Sequence, residues 1–183
     1  YLKTSIWRMA GNRIPWLMAL MLAAIVSGAI ITGYEDLLTA SGTIGVMLTS
    51  CIPMLMDTGG NCGSQSSMLV IRGLALGSIT LKDTLKVLWL ELRVSVLVGA
   101  ALAVVNFLRL TLIAGATTGV ALVVSFSLYL TVILAKTIGA ILPIGAHSIK
   151  LDPAMMASPL LTNIVDAASL TIMFGIASRF LLK

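Results

Sequence analysis

The 183-residue sequence is 58% hydrophobic and only 10% charged, with a formal net charge of +5. Soluble domains carry charge at about 25% of positions, so this chain cannot cover a water-facing surface, whereas a mean hydropathy of +1.07 suits the bilayer interior. The twelve Lys and Arg are scattered at the ends of apolar segments, which points to membrane topology rather than to nucleic acid.

In hydrocarbon only helices and closed barrels satisfy their own backbone groups. The alternating ten-residue segments of a barrel are missing and long apolar runs take their place. The fold class expected is an all-α integral membrane protein, organised as one domain over residues 1–183. Residues 1–13, YLKTSIWRMAGNR, form an amphipathic cytosolic lead-in without the marks of a cleavable signal peptide. A span needs roughly 20 mainly apolar residues, and five candidates follow at about 14–33, 43–76, 84–108, 112–142 and 153–180. Pro15 opens the first, where a missing N–H costs nothing. Tyr34, Glu35 and Asp36 make a polar turn after it, and Lys82, Asp83 and Lys86 mark the turn before the third. Glu91 and Arg93 lie too close in sequence to share a helix face, so each meets another helix or snorkels. His147 falls in a loop before the fifth span. Cys51 and Cys62 are small buried residues, ~16 Å apart along one helix and so unable to bridge.

Five spans place the termini on opposite sides. With the N-terminus inside, Lys3, Arg8, Arg13, Arg72, Lys82, Lys86, Lys136 and Lys150 are cytoplasmic, against Arg109, Arg179 and Lys183 outside. The positive-inside rule therefore puts the N-terminus in the cytoplasm and the C-terminus outside.

Ionisable groups deep in a membrane cost on the order of 3 kcal/mol each on insertion scales and mark pathways. Two spans concentrate them. In PMLMDTGGNCGSQSS, residues 53–67, Asp57, Asn61 and Gln65 recur every four residues and form one stripe. Gly59, Gly60 and Gly63 let another backbone approach or expose carbonyls to an ion. A plain helix–helix seam accounts for Gln65 and the glycines equally well; the Asp57 carboxylate reads as pore lining or its support. In DPAMMASPLLTNIVDAAS, residues 152–169, Ser158, Thr162 and Asp166 share a face, and Asp152 lies ~40° off the same line. Asp152 also suits a helix start before Pro153, and Asp166 could instead be a structural partner of Asn61 or of a buried arginine.

Carboxylates, hydroxyls and carbonyls are hard donors suited to Mg²⁺, Ca²⁺ and Mn²⁺. Mg²⁺ keeps much of its water and is held by one or two carboxylates. One mid-span Asp per chain fits that chemistry if two chains face each other across a two-fold axis. The pairs Gly73/Gly77 and Gly115/Gly119 offer small-xxx-small faces for such packing.

With RIPWL opening the first span, P-x-L-x-D-T-G-G-N-x-G-x-Q-S in the second and DPA…SP…T…D in the fifth, the sequence resembles the membrane domain of the MgtE family of magnesium channels and transporters. The resemblance implies a homodimer of five-span subunits in a bacterial plasma membrane, its pore lined by the second and fifth helices. It implies that Asp166 binds hydrated Mg²⁺, that Ser158 and Thr162 stand on the pore face with help from Asn61, and that Asp152 is an acidic residue at the cytosolic mouth. Family members precede this region with a cytosolic acidic domain and a paired nucleotide-binding-type regulatory module. Neither is matched here, so a shortened or unregulated relative is expected and gating is not carried over.

The function expected is Mg²⁺ channel conduction, with a Na⁺-coupled exchanger using the same site as the alternative. Such an exchanger would use helices broken at mid-membrane, and Pro53 with Gly59–Gly60 is a candidate break. An intramembrane aspartyl hydrolase built on Asp57 and Asp166 lacks the glycine-aspartate motif, and a structural subunit leaves the Asp stripe unexplained. No enzyme is expected.

Overall fold

A computed structural model describes residues 5–150 and 153–181, with the side-chain surroundings of 153–158 not described. All regular structure among the described residues is helical: α1 (Ile6–Gly33), a short α2 (Glu35–Ala40), α3 (Thr43–Ala75), a 3₁₀ turn (Leu81–Asp83), α4 (Thr84–Leu112), α5 (Thr118–Ser148) and α6 (Pro153–Phe180).

Among the described residues four stretches are long and apolar enough to cross a membrane: Ile6–Ala40, Leu81–Leu112, Thr118–Ser148 and Pro159–Phe180. At 33 residues α3 is the longest helix yet lies outside that set, because its middle turns carry Asp57, Thr58, Asn61, Ser64, Gln65, Ser66 and Ser67.

Helix ends follow local chemistry. Before α4, the Thr80 hydroxyl and N–H both donate to Asp83 Oδ2, at 2.7 and 3.2 Å, in a capping box. Gly77 and Gly115 hold φ of +68° and +63°, which glycine adopts without steric cost. Gly77 ends α3, with Ile79 N–H donating to Gly73 O, and Gly115 sits in the turn between α4 and α5. These glycines are therefore chain turns. Gly73 is already covered by Ile79, and Gly119 abuts Leu181. The small-xxx-small faces expected there are spent within the chain.

Other boundaries also moved. The fourth helix spans Thr118–Ser148 rather than 112–142, so His147 lies in its last turn and not in a loop. The first helix begins at Ile6 without a break after the lead-in, which makes Pro15 an interior residue. Glu35 and Asp36 open a helix instead of a simple turn. Cys51 and Cys62 are free and buried.

Helix α5 is the centre of the bundle, packed by α3, α4 and α6, while α1 leans on α6 and α2 on α3. Val120, Ala121, Val124, Val132, Ala135 and Ala140 on α5 have no exposed surface. Val120, Ala121, Val124 and Val132 cluster with Leu48 and Leu55 of α3 and Leu170, Met173 and Phe174 of α6, while Ala135 packs with Leu161 and Val165 of α6 and Ala140 with Val70 of α3. At one end Tyr34 stacks on Phe174 with ring centroids 4.8 Å apart. In α1 only Ser27 is buried, and Asn163 of α6 donates to the Leu20 carbonyl at 2.9 Å. The apolar surface left outward on α1, with Met21 62% and Ile25 60% exposed, suits lipid rather than water.

Among the long helices, α3 and α5 cross with their backbones in contact. A Cβ on Gly139 would fall on the Gly63 carbonyl oxygen, and one on Gly63 would lie 3.0 Å from the Ala135 carbonyl oxygen. Backbone touches backbone here because neither residue carries a side chain.

Candidate ion path

Helices α3 and α6 meet along glycines. A Cβ on Gly59 would lie 2.8 Å from both Thr131 Cγ2 and Val165 Cγ1, and one on Gly60 would lie 3.3 Å from Thr162 Cγ2. The missing side chains let α6 lie against α3 so that the polar stripes of the two helices border one cleft.

That cleft has a volume of about 610 Å³ and is open on the outer face of the chain. Asp57, Asn61 and Ser64 line it from α3, and Thr162 and Asp166 line it from α6. Asn61 Nδ2 donates to Asp57 Oδ2 at 3.1 Å, and among the described residues nothing donates to the Asn61 carbonyl oxygen. Thr162 donates its hydroxyl to Pro159 O at 2.9 Å, so its oxygen lone pairs remain available as acceptors. Among the described residues nothing donates to the Asp166 carboxylate. Asn61 partners Asp57 instead, and no arginine meets Asp166.

Four of the six residues singled out from the sequence thus converge: Asp57, Asn61, Thr162 and Asp166. Ser158 belongs to α6 by its backbone, and Asp152 lies outside the described residues. Ser64, seven residues after Asp57 and so two turns along the same stripe, also lines the cleft; that spacing could have found it. Among the described residues no three His, Cys, Asp or Glu cluster as a dehydrating metal cage. The cleft offers two carboxylates with amide and hydroxyl oxygens, a donor set for a cation that keeps water.

The sequence profile of MgtE, described as a divalent cation transporter, matches residues 52–176. The chain belongs to the MgtE family. It is 36% identical over 172 residues to a protein of Bacillus subtilis (strain 168) named magnesium transporter MgtE, covering 94% of this chain and 37% of that protein. A protein of the same name from Thermus thermophilus is 35% identical over 172 residues, with 93% and 36% covered. A third, from Enterococcus faecalis, is 26% identical over 175 residues, with 94% and 37% covered. The chain therefore spans a little over a third of the length of these MgtE relatives.

Within the matched segment, behind the cleft, this MgtE chain holds a second polar constellation. Lys136 of α5 is 2% exposed. Its Nζ donates to Ser66 Oγ at 2.9 Å and to Gln65 Oε1 at 3.4 Å, and lies 3.5 Å from Glu91 Oε2 of α4. The Ser66 hydroxyl in turn donates a hydrogen bond to Glu91 Oε2 at 2.6 Å. Three helices are thus tied by one buried ion pair. Glu91 meets other helices as expected.

Lys136 was expected among the cytoplasmic cations and is not one of them. With α5 running to Ser148, it lies ~18 Å from the helix end, far too deep to belong to a loop. Removing it leaves seven of the cations expected on the cytoplasmic side against three on the other. An intramembrane lysine is itself a signal, and a correct helix boundary would have exposed it.

Lys136→Met alone would leave Glu91 charged, buried and unpaired, a loss of about 3–5 kcal/mol, whereas removing both charges together is often near neutral. Thermal unfolding in detergent should show Lys136→Met melting well below wild type, with Lys136→Met/Glu91→Met recovering most of the difference. A single variant as stable as wild type would mean that the pair contributes nothing.

Proposed function

We propose that this chain is the membrane-spanning part of a Mg²⁺ transporter, and that its five long helices cross the bilayer with the N-terminus cytoplasmic and the C-terminus outside. The observation that carries the reading is the convergence of Asp57, Asn61, Thr162 and Asp166 on one cleft open to the chain's outer face. In a lipid-facing position such a surface would be costly; against a second copy across a two-fold axis it becomes half of a pore. The homodimer would pair the two Asp166 carboxylates around a hydrated Mg²⁺, with Ser158 and Thr162 alongside and Asp152 at the cytosolic mouth. A bacterial plasma membrane is the expected location, since the relatives named above are bacterial.

Channel conduction is favoured over Na⁺-coupled exchange by one feature. Helix α3 is continuous from Thr43 to Ala75 despite Pro53 and Gly59–Gly60, so it lacks the mid-membrane break on which coupled carriers build their ion sites. The test is Mg²⁺ uptake into liposomes holding the purified protein. Uptake driven by a Mg²⁺ gradient alone is expected, unchanged when a Na⁺ gradient is added, and cross-linking in native membranes should capture a dimer. Uptake that requires Na⁺ would establish the exchanger, and conduction by a strictly monomeric species would remove the two-fold pore.

Asp152→Asn tests the mouth. A charge there concentrates cations without selecting among them, so flux should fall two- to fivefold at ~0.01 M ionic strength and hardly at all at ~1 M, where the Debye length is about 3 Å. Equal loss at both salts would assign Asp152 another role.

A further inference from the structure

Gln65 continues the four-residue stripe of Asp57 and Asn61 and is exposed on the same face. It differs from both in having the ammonium of Lys136 3.4 Å away. An ammonium has only hydrogens to offer, so the amide atom facing it is the carbonyl oxygen, and the NH₂ is turned away toward the stripe. Three acceptors, Gln65 Oε1, Ser66 Oγ and Glu91 Oε2, surround the ammonium, and Glu91 with Ser66 holds it in place from behind.

We propose that Lys136 is a positioning residue for ion passage: through Gln65 it denies a hydrated cation a further acceptor on the α3 wall and confines cation binding to the Asp57–Asn61–Ser64 stretch that lines the cleft. The inference rests on reading the α3–α6 cleft as the ion path. The water molecules around Mg²⁺ present hydrogens outward, so they need acceptors on the wall. An amide NH₂ whose carbonyl oxygen is held by Lys136 offers them none. Conduction needs a site weak enough to leave as well as strong enough to enter, and a second acceptor ring at Gln65 would hold the ion longer.

Gln65 is exposed, so its variants test the idea with little risk to folding. Gln65→Asn is one methylene too short to keep Lys136 but retains an amide oxygen that can turn to the stripe. In liposome flux it should lower the Mg²⁺ concentration for half-maximal uptake by about three- to tenfold, the effect of about one ordinary hydrogen bond, and lower the maximal rate. Gln65→Met, with no oxygen, should not tighten. Lys136→Met/Glu91→Met keeps the net charge and should tighten like Gln65→Asn, an effect abolished by adding Gln65→Met. A loosened helix packing would weaken binding, not strengthen it, so the direction separates positioning from mere support.

Unchanged half-saturation in Gln65→Asn overturns the proposal, and so does tightening that survives Gln65→Met. Asp166→Asn in the same assay separates the two readings. If it weakens Mg²⁺ binding while Gln65→Asn has no effect, only the role of Lys136 fails; if neither alters affinity, the cleft is not the ion path.

Discussion

Asp166→Asn should raise the Mg²⁺ concentration for half-maximal flux on the order of tenfold and erode the preference for divalent over monovalent cations. Asp166 stands on the α6 side of the cleft opposite Asp57 and Asn61, and among the described residues its carboxylate has no partner. One carboxylate charge acting on a divalent ion across a single water layer, at ~5 Å with the dielectric of water, contributes about 1.7 kcal/mol. A monovalent ion at that distance gains half as much, so the loss falls more heavily on Mg²⁺. Asparagine keeps the shape and removes only the charge. The proposed dimer should still be captured by cross-linking, which separates a selectivity effect from a folding one. Currents carried by monovalent ions through Asp166→Asn should be blocked by Mg²⁺ far less than in wild type. Wild-type block in a well-folded variant would place the selectivity carboxylate elsewhere, with Asp57 next to be tested.

Gly139→Ala is expected to cost about 2–3 kcal/mol of stability, at the upper end for overpacking by a single methyl. Its new Cβ falls on the carbonyl oxygen of Gly63, and neither side of that contact can rotate away, since both belong to helix backbones. The substitution must push α3 from α5 close to where Lys136 reaches Ser66, so the buried ion pair loosens with it. Gly28→Ala in α1 is the control: nothing lies within 4 Å of its added Cβ. Both variants gain the same helix propensity, up to about 1 kcal/mol, so their difference isolates the crossing. Differential scanning fluorimetry in detergent should show Gly28→Ala at or above wild type and Gly139→Ala well below it. Equal melting would mean that the two helices part without cost.

Much of this was written in local chemistry. Apolar runs with scarce charge dictate membrane helices whatever the neighbours do, because the bilayer satisfies no backbone group. Four-residue spacing places Asp57 with Asn61, and Thr162 with Asp166, on single faces, since the α-helical period is a property of the backbone alone. These readings needed no partner helix. Boundaries were harder: residues 112–116 carry no polar side chain, and the positive φ of Gly115 with the Thr117 hydroxyl accepting from Val120 N–H shows that the chain turns there before α5 begins at Thr118.

That boundary decided the fate of Lys136. Read near a span's end, it is one more cytoplasmic cation; placed at the depth of the Gly63–Gly139 crossing, it becomes the centre of a network drawing on Gln65, Ser66 and Glu91. Those four residues are separated by up to 71 positions, and no spacing rule connects them. The same holds for the glycines. Sequence alone shows that Gly59, Gly60, Gly63, Gly73 and Gly115 are small or conformationally free, but which of them meets a helix and which makes a turn depends on what lies opposite. Tertiary packing settles that choice, because close approach is a relation between two backbones and only one of them is local to the motif.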